Sequence, residues 1–132
     1  MKSVFRPVVI ASLIAAVINQ ALYFLGVELF SAEFILRDQS GVAIPFIAPA
    51  LFSVFQGVVG GLVVAWVASR TASPKNTWLS ISLIALALSF ALPFLAIESL
   101  DGALWLNAMH VVSGALIIPM VRNVLPAARA TE

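Results

Sequence analysis

The sequence predicts an all-α membrane protein: a four-transmembrane-helix antiparallel bundle with a small extracytoplasmic hairpin or interfacial segment. Three observations carry that prediction. The chain is 62% hydrophobic and only 10% charged, which leaves too little polar surface for an exterior facing water. Four stretches, about 7–27, 46–69, 78–97 and 104–121, carry no Asp, Glu, Lys or Arg, and each approaches the roughly 20 residues needed to cross hydrocarbon. The basic residues also segregate. Lys2, Arg6, Arg70, Lys75, Arg122 and Arg129 fall on one side of the predicted spans, and Arg37 alone falls on the other. Positive residues stay cytoplasmic, so both termini are expected inside and the 28–45 connection outside, as in a multi-pass protein of the bacterial inner membrane. No linker or composition shift divides the chain, so residues 1–132 read as a single four-span domain.

The first span follows a short basic head. Its length, and the lack of a small-x-small pattern near Asn19–Ala21, favour a retained helix over a cleaved signal peptide. Ser12, Ala16, Asn19 and Tyr23 recur at helical spacing and form a stripe expected to face inward. Residues 28–45 form the one long connection. Phe30, Ala32, Phe34 and Leu36 alternate with more polar neighbours, and Asp38-Gln39-Ser40-Gly41 has turn chemistry. A surface hairpin is the first expectation there, and an interfacial amphipathic helix the second.

The second span starts with Pro49 in its first turns, where a missing N–H matters least. Pro49, Ser53, Gln56, Gly57, Gly60 and Val64 are read as one face, and Gly57, Gly60 and Gly61 as a close helix contact with GxxxG spacing. Trp78 opens the third span as an interfacial aromatic, and Pro93 predicts a kink near its outer end. Trp105 marks the outer interface of the fourth span, where Asn107, His110 and Gly114 share a side.

Composition excludes several function classes. A net charge of +1 gives no basic stripe for nucleic acid. The absence of cysteine excludes disulfide exchange and thiolate metal sites. A single histidine makes an all-protein metal site in one chain untenable. Helical bundles can hold haem through an axial histidine, but nothing beyond His110 supports one, so no cofactor is expected.

The candidate chemistry is a polar layer. Asn19, Gln20, Gln56, Ser89, Asn107 and His110 fall at similar depth in the outer half of the spans. Polar groups facing lipid cost free energy, so the six are expected to turn inward and meet. The expected contact runs from His110 to Asn19, Gln20, Gln56 or Ser89, directly or through one water, with the ring neutral. Two readings remain open. The layer is mortar between helices, or it lines an outward pocket in which His110 touches a small apolar or amphipathic ligand. No carboxylate stands by to orient the imidazole, which weakens hydrolase and proton-relay readings.

The closing stretch AMHVVSGALIIPMV, with Met109, His110, Gly114, Ile118 and Pro119, resembles the last helix of an uncharacterised family of small four-helix bacterial membrane proteins. That resemblance implies the same layout and no assigned activity. The small multidrug transporters have a Glu inside the first helix, where this chain has Asn19 and Gln20. The expected function is therefore that of a non-enzymatic accessory or interaction protein, a subunit of a larger membrane assembly or a homo-oligomer in the lipid bilayer. The alternative is a ligand binder or carrier built around His110.

Overall fold

The computed structural model describes residues 2–39 and 41–127; Ser40 of the expected turn and Arg129 of the basic tail lie outside the described residues. The chain forms helices α1 (Lys2–Phe30), α2 (Ala48–Ala68), α3 (Pro74–Ser89), α4 (Ala91–Ala96) and α5 (Leu100–Val124). Taken together, α3 and α4 make one span, so four helical segments are long and apolar enough to cross a membrane. The protein is an all-α, multi-pass membrane bundle. The first and last helices overrun the expected limits, 7–27 and 104–121, at both ends. A helix satisfies its own backbone wherever it lies, so it need not stop where hydrocarbon does. At 1.5 Å per residue α1 is roughly 43 Å long, more than a hydrocarbon core is thick.

In the bundle α1 packs on α2 and α5, and α3 packs on α5 and α2. The helices α2 and α5 also meet across the short diagonal, while among the described residues the backbones of α1 and α3 stay apart. The sequence of α1 explains its place. Ala11, Ser12, Ala15 and Ala16 are buried along its inner stripe, and side chains this small let two neighbours approach the backbone. Asn19 and Tyr23 continue the stripe and are buried with it. Between lipid-facing helices, close approach supplies the attraction that hydrophobic contrast supplies in water.

Two apolar clusters close the ends of the bundle. At the end holding both termini, Val4, Val8, Ala65, Ala68, Trp78, Val121 and Leu125 pack together. Trp78 is 1% exposed and donates its indole N–H to the carbonyl of Ile118 at 2.9 Å. The expectation of an interfacial Trp78 is thereby corrected: α3 begins earlier, at Pro74, which carries Trp78 into the bundle. Trp66 is exposed instead, with the Arg70 guanidinium 3.5 Å from its ring centroid.

The opposite end carries a cap built from residues 31–45. Ser31 takes a left-handed conformation (φ 54°), and the Ala32 N–H turns back to the Gly26 carbonyl at 2.8 Å. The chain then forms a short hairpin. Ile35 and Ala43 bridge antiparallel, with Ile44 N to Phe34 O at 2.8 Å and Leu36 N to Val42 O at 2.9 Å. Its free edge is covered by the end of α4, through Arg37 N to Ala96 O and Glu98 N to Ile35 O. An unpaired edge would otherwise leave backbone groups unsatisfied near lipid. Phe34 tucks beneath the hairpin and stacks on Tyr23, ring centroids 4.8 Å apart.

The third span breaks at Phe90. Pro93 has no N–H to offer the Ser89 carbonyl and its ring crowds that turn, so the helix stops and restarts. The chain leaves α4 extended at Ile97, and Arg37 donates to the carbonyls of Phe94 (3.2 Å) and Ile97 (2.9 Å) at that helix end. The one basic residue of the cap is thus committed to structure. Ser99 opens α5 as its N-cap, accepting from Gly102 N at 3.1 Å and donating to the Glu33 carbonyl at 2.6 Å.

Candidate functional site

The six polar residues do not form one layer. They separate into an interior knot, a cluster at the helix break, a tie to the cap, and one side chain on the outside of the bundle.

The knot centres on Asn19, which is 2% exposed. Its amide donates both hydrogens, to Ser53 Oγ of α2 at 2.8 Å and to Ser113 Oγ of α5 at 2.9 Å. Ser53 passes its own proton to the Pro49 carbonyl at 2.6 Å. One carboxamide therefore ties three helices together. Below it, Gly57 lies so close to α1 that a Cβ there would run into Ser12 Oγ and stand 3.0 Å from Ile117 Cδ1 of α5. Gly61 repeats the approach one turn further on, against Val8. Replacing Asn19 by Ala removes two interhelix hydrogen bonds worth about 0.6 kcal/mol each and leaves a small void. The expected loss is about 1–2 kcal/mol, read as a lower unfolding temperature in mild detergent, with Ser113→Ala costing about half as much.

The second cluster lies where α5 passes the broken third span. Asn107 Nδ2 donates to the carbonyl of Phe90, the residue at the break, at 3.2 Å. Ser89 Oγ donates to Leu86 O of its own helix at 2.7 Å. Two turns along α5, a Cβ on Gly114 would stand 2.7 Å from Leu86 Cδ2, so residues 107–114 run against residues 86–90. His110 falls between these two contacts and is half-buried. It makes no hydrogen bond to Asn19, Gln20, Gln56 or Ser89, and its Nδ1 is buried without a partner, as is Asn107 Oδ1.

Gln20 serves the cap, donating Nε2 to the Phe46 carbonyl at 2.8 Å just before α2 starts. Gln56 turns away from all of these. It is exposed, and Gly60 beside it is exposed with nothing within 4 Å of a would-be Cβ. The expectation that Gly60 belongs to the same close contact as Gly57 and Gly61 is corrected here, since Gly60 points off the bundle. Position 56 precedes Gly57 by one residue, which rotates it about 100° round the helix. With Gly57 seated on Ser12, Gln56 is carried out of the interior.

Ser53, read on the α2 face, and Ser113, a polar residue of the last span beside His110, are the partners that the expected layer left out. Ser53 did carry a signal. It stands one turn before Gly57 on the Pro49–Ser53–Gly57–Gly61 row, each step of four returning to nearly the same direction.

Neither of two surface grooves among the described residues is lined by His110. The larger, about 460 Å³, lies between α1 and α2 and is walled by Leu13, Ala16, Val17, Gln20, Phe24 and Ala50. The smaller, about 310 Å³, lies beside Leu104, Trp105 and Ala108. Both are shallow apolar hollows opening sideways. The arrangement can hold helices together and can present a carboxamide to the bilayer. Among the described residues it assembles no nucleophile, base and orienting acid.

No curated protein and no solved structure matches the chain at a significant level. Its sequence does match a described family over residues 1–127, nearly the whole chain. This four-span bundle belongs to DUF6069, a family of unknown function.

Proposed function

We propose that the protein is a non-enzymatic accessory or interaction protein of the bacterial cytoplasmic membrane, a subunit of a larger membrane assembly. The observation that carries this reading is Gln56. It sits well inside the α2 span, exposed and turned about 100° round the helix from Gly57, which meets α1, and takes no part in the interhelix hydrogen bonds. An amide left in hydrocarbon without a partner costs about 2–7 kcal/mol, so such groups within spans normally face protein or water. The inward side of α2 is already filled by the contacts of Gly57 and Gly61. The partner of Gln56 therefore belongs to another chain. The interior adds support, because Asn19 and Asn107 spend their N–H groups on holding helices.

A photo-crosslinking residue at Val63, exposed on the same side of α2, tests the reading in living cells. Protein adducts are expected at Val63 and only lipid adducts at Ile84, which is exposed on α3. Lipid adducts alone at both positions would overturn the proposal.

The orientation that goes with this function has both termini cytoplasmic and the 31–45 cap outside, following the Lys and Arg distribution. Arg37 is compatible with an outside cap because its guanidinium is bound to helix-end carbonyls. Cysteines at Gln39 and Ala72, both exposed and at opposite ends of the bundle, report the orientation directly. An impermeant thiol reagent added to intact cells should label Gln39→Cys and spare Ala72→Cys; the reverse pattern would invert the assignment.

A second reading is favoured by one observation, the unpaired Nδ1 of His110 and Oδ1 of Asn107 on the same side of α5. Asn107 Oδ1 accepts, and His110 Nδ1 accepts when the ring proton sits on Nε2, so the pair suits an amphipathic molecule that brings a hydrogen-bond donor between α5 and the broken span. Under that reading the protein binds or carries such a ligand, and the ligand is lost when His110 becomes Leu.

A further inference from the structure

We infer that the partner of Gln56 is a second copy of this chain, and that α2 forms a parallel homodimer seam about Gln56 and Gly60. This rests on the interaction reading above and names its partner. Gln56, Gly60, Val63 and Val67 are all exposed and follow one another by steps of four, three and four. That is the spacing of a helix–helix seam, in which each step returns to the contact line. Gly60 has open space where a Cβ would project, so another backbone can approach there as closely as α1 approaches Gly57.

The carboxamide selects the partner. It carries a donor and an acceptor in one planar group, so two of them related by a two-fold axis satisfy each other reciprocally. A lipid-embedded amide also needs its counterpart at its own depth. Copies inserted with the same orientation meet that condition without further design, because residue 56 of each lies at one level. The axis of such a dimer runs along the bilayer normal between the two copies of α2. It leaves α1, α5 and their interior knot in place, since Gln56 and Gly60 are exposed and turned about 100° round α2 from the Gly57–Gly61 contacts. Gln20, the other carboxamide in the cap-side half of α1, is not available for this role because it is tied to the Phe46 carbonyl.

The chain has no cysteine, so single cysteines test the seam without background. Val63→Cys in native membranes should form a disulfide-linked dimer on mild oxidation, whereas Ile84→Cys should not. Fluorescence transfer between labelled copies diluted in liposomes then measures the association. Gln56→Leu and Gly60→Leu are each expected to raise the dimer dissociation constant roughly tenfold, with the bundle still folded by circular dichroism. Equal crosslinking at both cysteines, or unchanged association in both variants, would overturn the seam. The photo-crosslink at Val63 separates this failure from that of the parent reading. An adduct with a different membrane protein and none with this chain overturns the homodimer alone, while lipid adducts alone overturn both.

Discussion

Gly57→Leu is expected to cost about 2–3 kcal/mol of stability in mild detergent, a large share of the whole stability of a small fold. The reason lies in the contact between α1 and α2. Even the first carbon of a side chain at position 57 would collide with Ser12 Oγ and stand 3.0 Å from both Ser12 Cβ and Ile117 Cδ1. Ser12 is fully buried and cannot swing aside, so α2 must move away from α1 as a body. Separation by an ångström or more stretches the hydrogen bond from Asn19 to Ser53, one turn along, and the loss spreads through the knot. Gly60→Leu is the control. It adds the same side chain to the same helix three residues later, into open space, and should leave the thermal stability of a single bundle unchanged. Thermal unfolding followed by circular dichroism compares the two. Equal losses would contradict the contact at Gly57, since helix propensity alone favours Leu over Gly at both positions.

Gly102→Ala is the second large effect, expected at about 2–3 kcal/mol. Here the obstacle is a backbone atom. A Cβ at position 102 would run into the carbonyl oxygen of Glu33 and lie 2.8 Å from Ser99 Oγ, which already bridges Gly102 N and that same carbonyl. No rotamer relieves such a clash, because a methyl group has none. The start of α5 and the cap must part, and the pairing of residues 35–36 with 97–98 is the contact most exposed to that movement. Amide hydrogen exchange at Leu36, Ile44 and Glu98 should speed up together, alongside a lower unfolding temperature. Ser99→Ala removes the cap bond without inserting an atom and should cost about 1 kcal/mol. Fast exchange in neither variant would show that the cap stands without its tie to α5.

The spans were legible because hydropathy and charge state them directly, and the hairpin was legible from strand-like alternation followed by turn residues. Which way each helix faces was only partly legible. In α1 the stripe of Ser12, Ala16, Asn19 and Tyr23 gave the inward side, since polar and small residues coincide there. In α2 they diverge. Gly57 and Gly61 turn inward while Gln56 and Gly60 turn out, and reading them as one face merged two directions about 100° apart. A soluble helix would have given itself away through its polar side. In α2 both sides are apolar, and the rotation is decided by which small residues let another backbone in. The same absence of contrast hid Trp78, whose indole looks identical in sequence whether it meets headgroups or the Ile118 carbonyl.

The candidate layer failed to assemble for a related reason. Asn19 lies level with Ser53 and Ser113 on two other helices, but depth along a span does not fix direction. Asn19 met Ser53 and Ser113 instead of His110, because Ser113 stands three residues beyond His110 and faces α1, whereas Asn107 and Gly114 face the third span. The break at Phe90 then gave Asn107 a backbone carbonyl to bind in place of a side chain.

Native mass spectrometry of the protein released from its own membrane tests the central claim most directly. The account predicts an assembly mass made of whole protein chains, at least two copies of this one, with no stoichiometric small molecule. Gln56→Leu should shift that population toward single chains, and His110→Leu should leave it as it was. A single chain carrying one bound molecule, retained in Gln56→Leu and lost in His110→Leu, would contradict the account and give the site to His110 and Asn107.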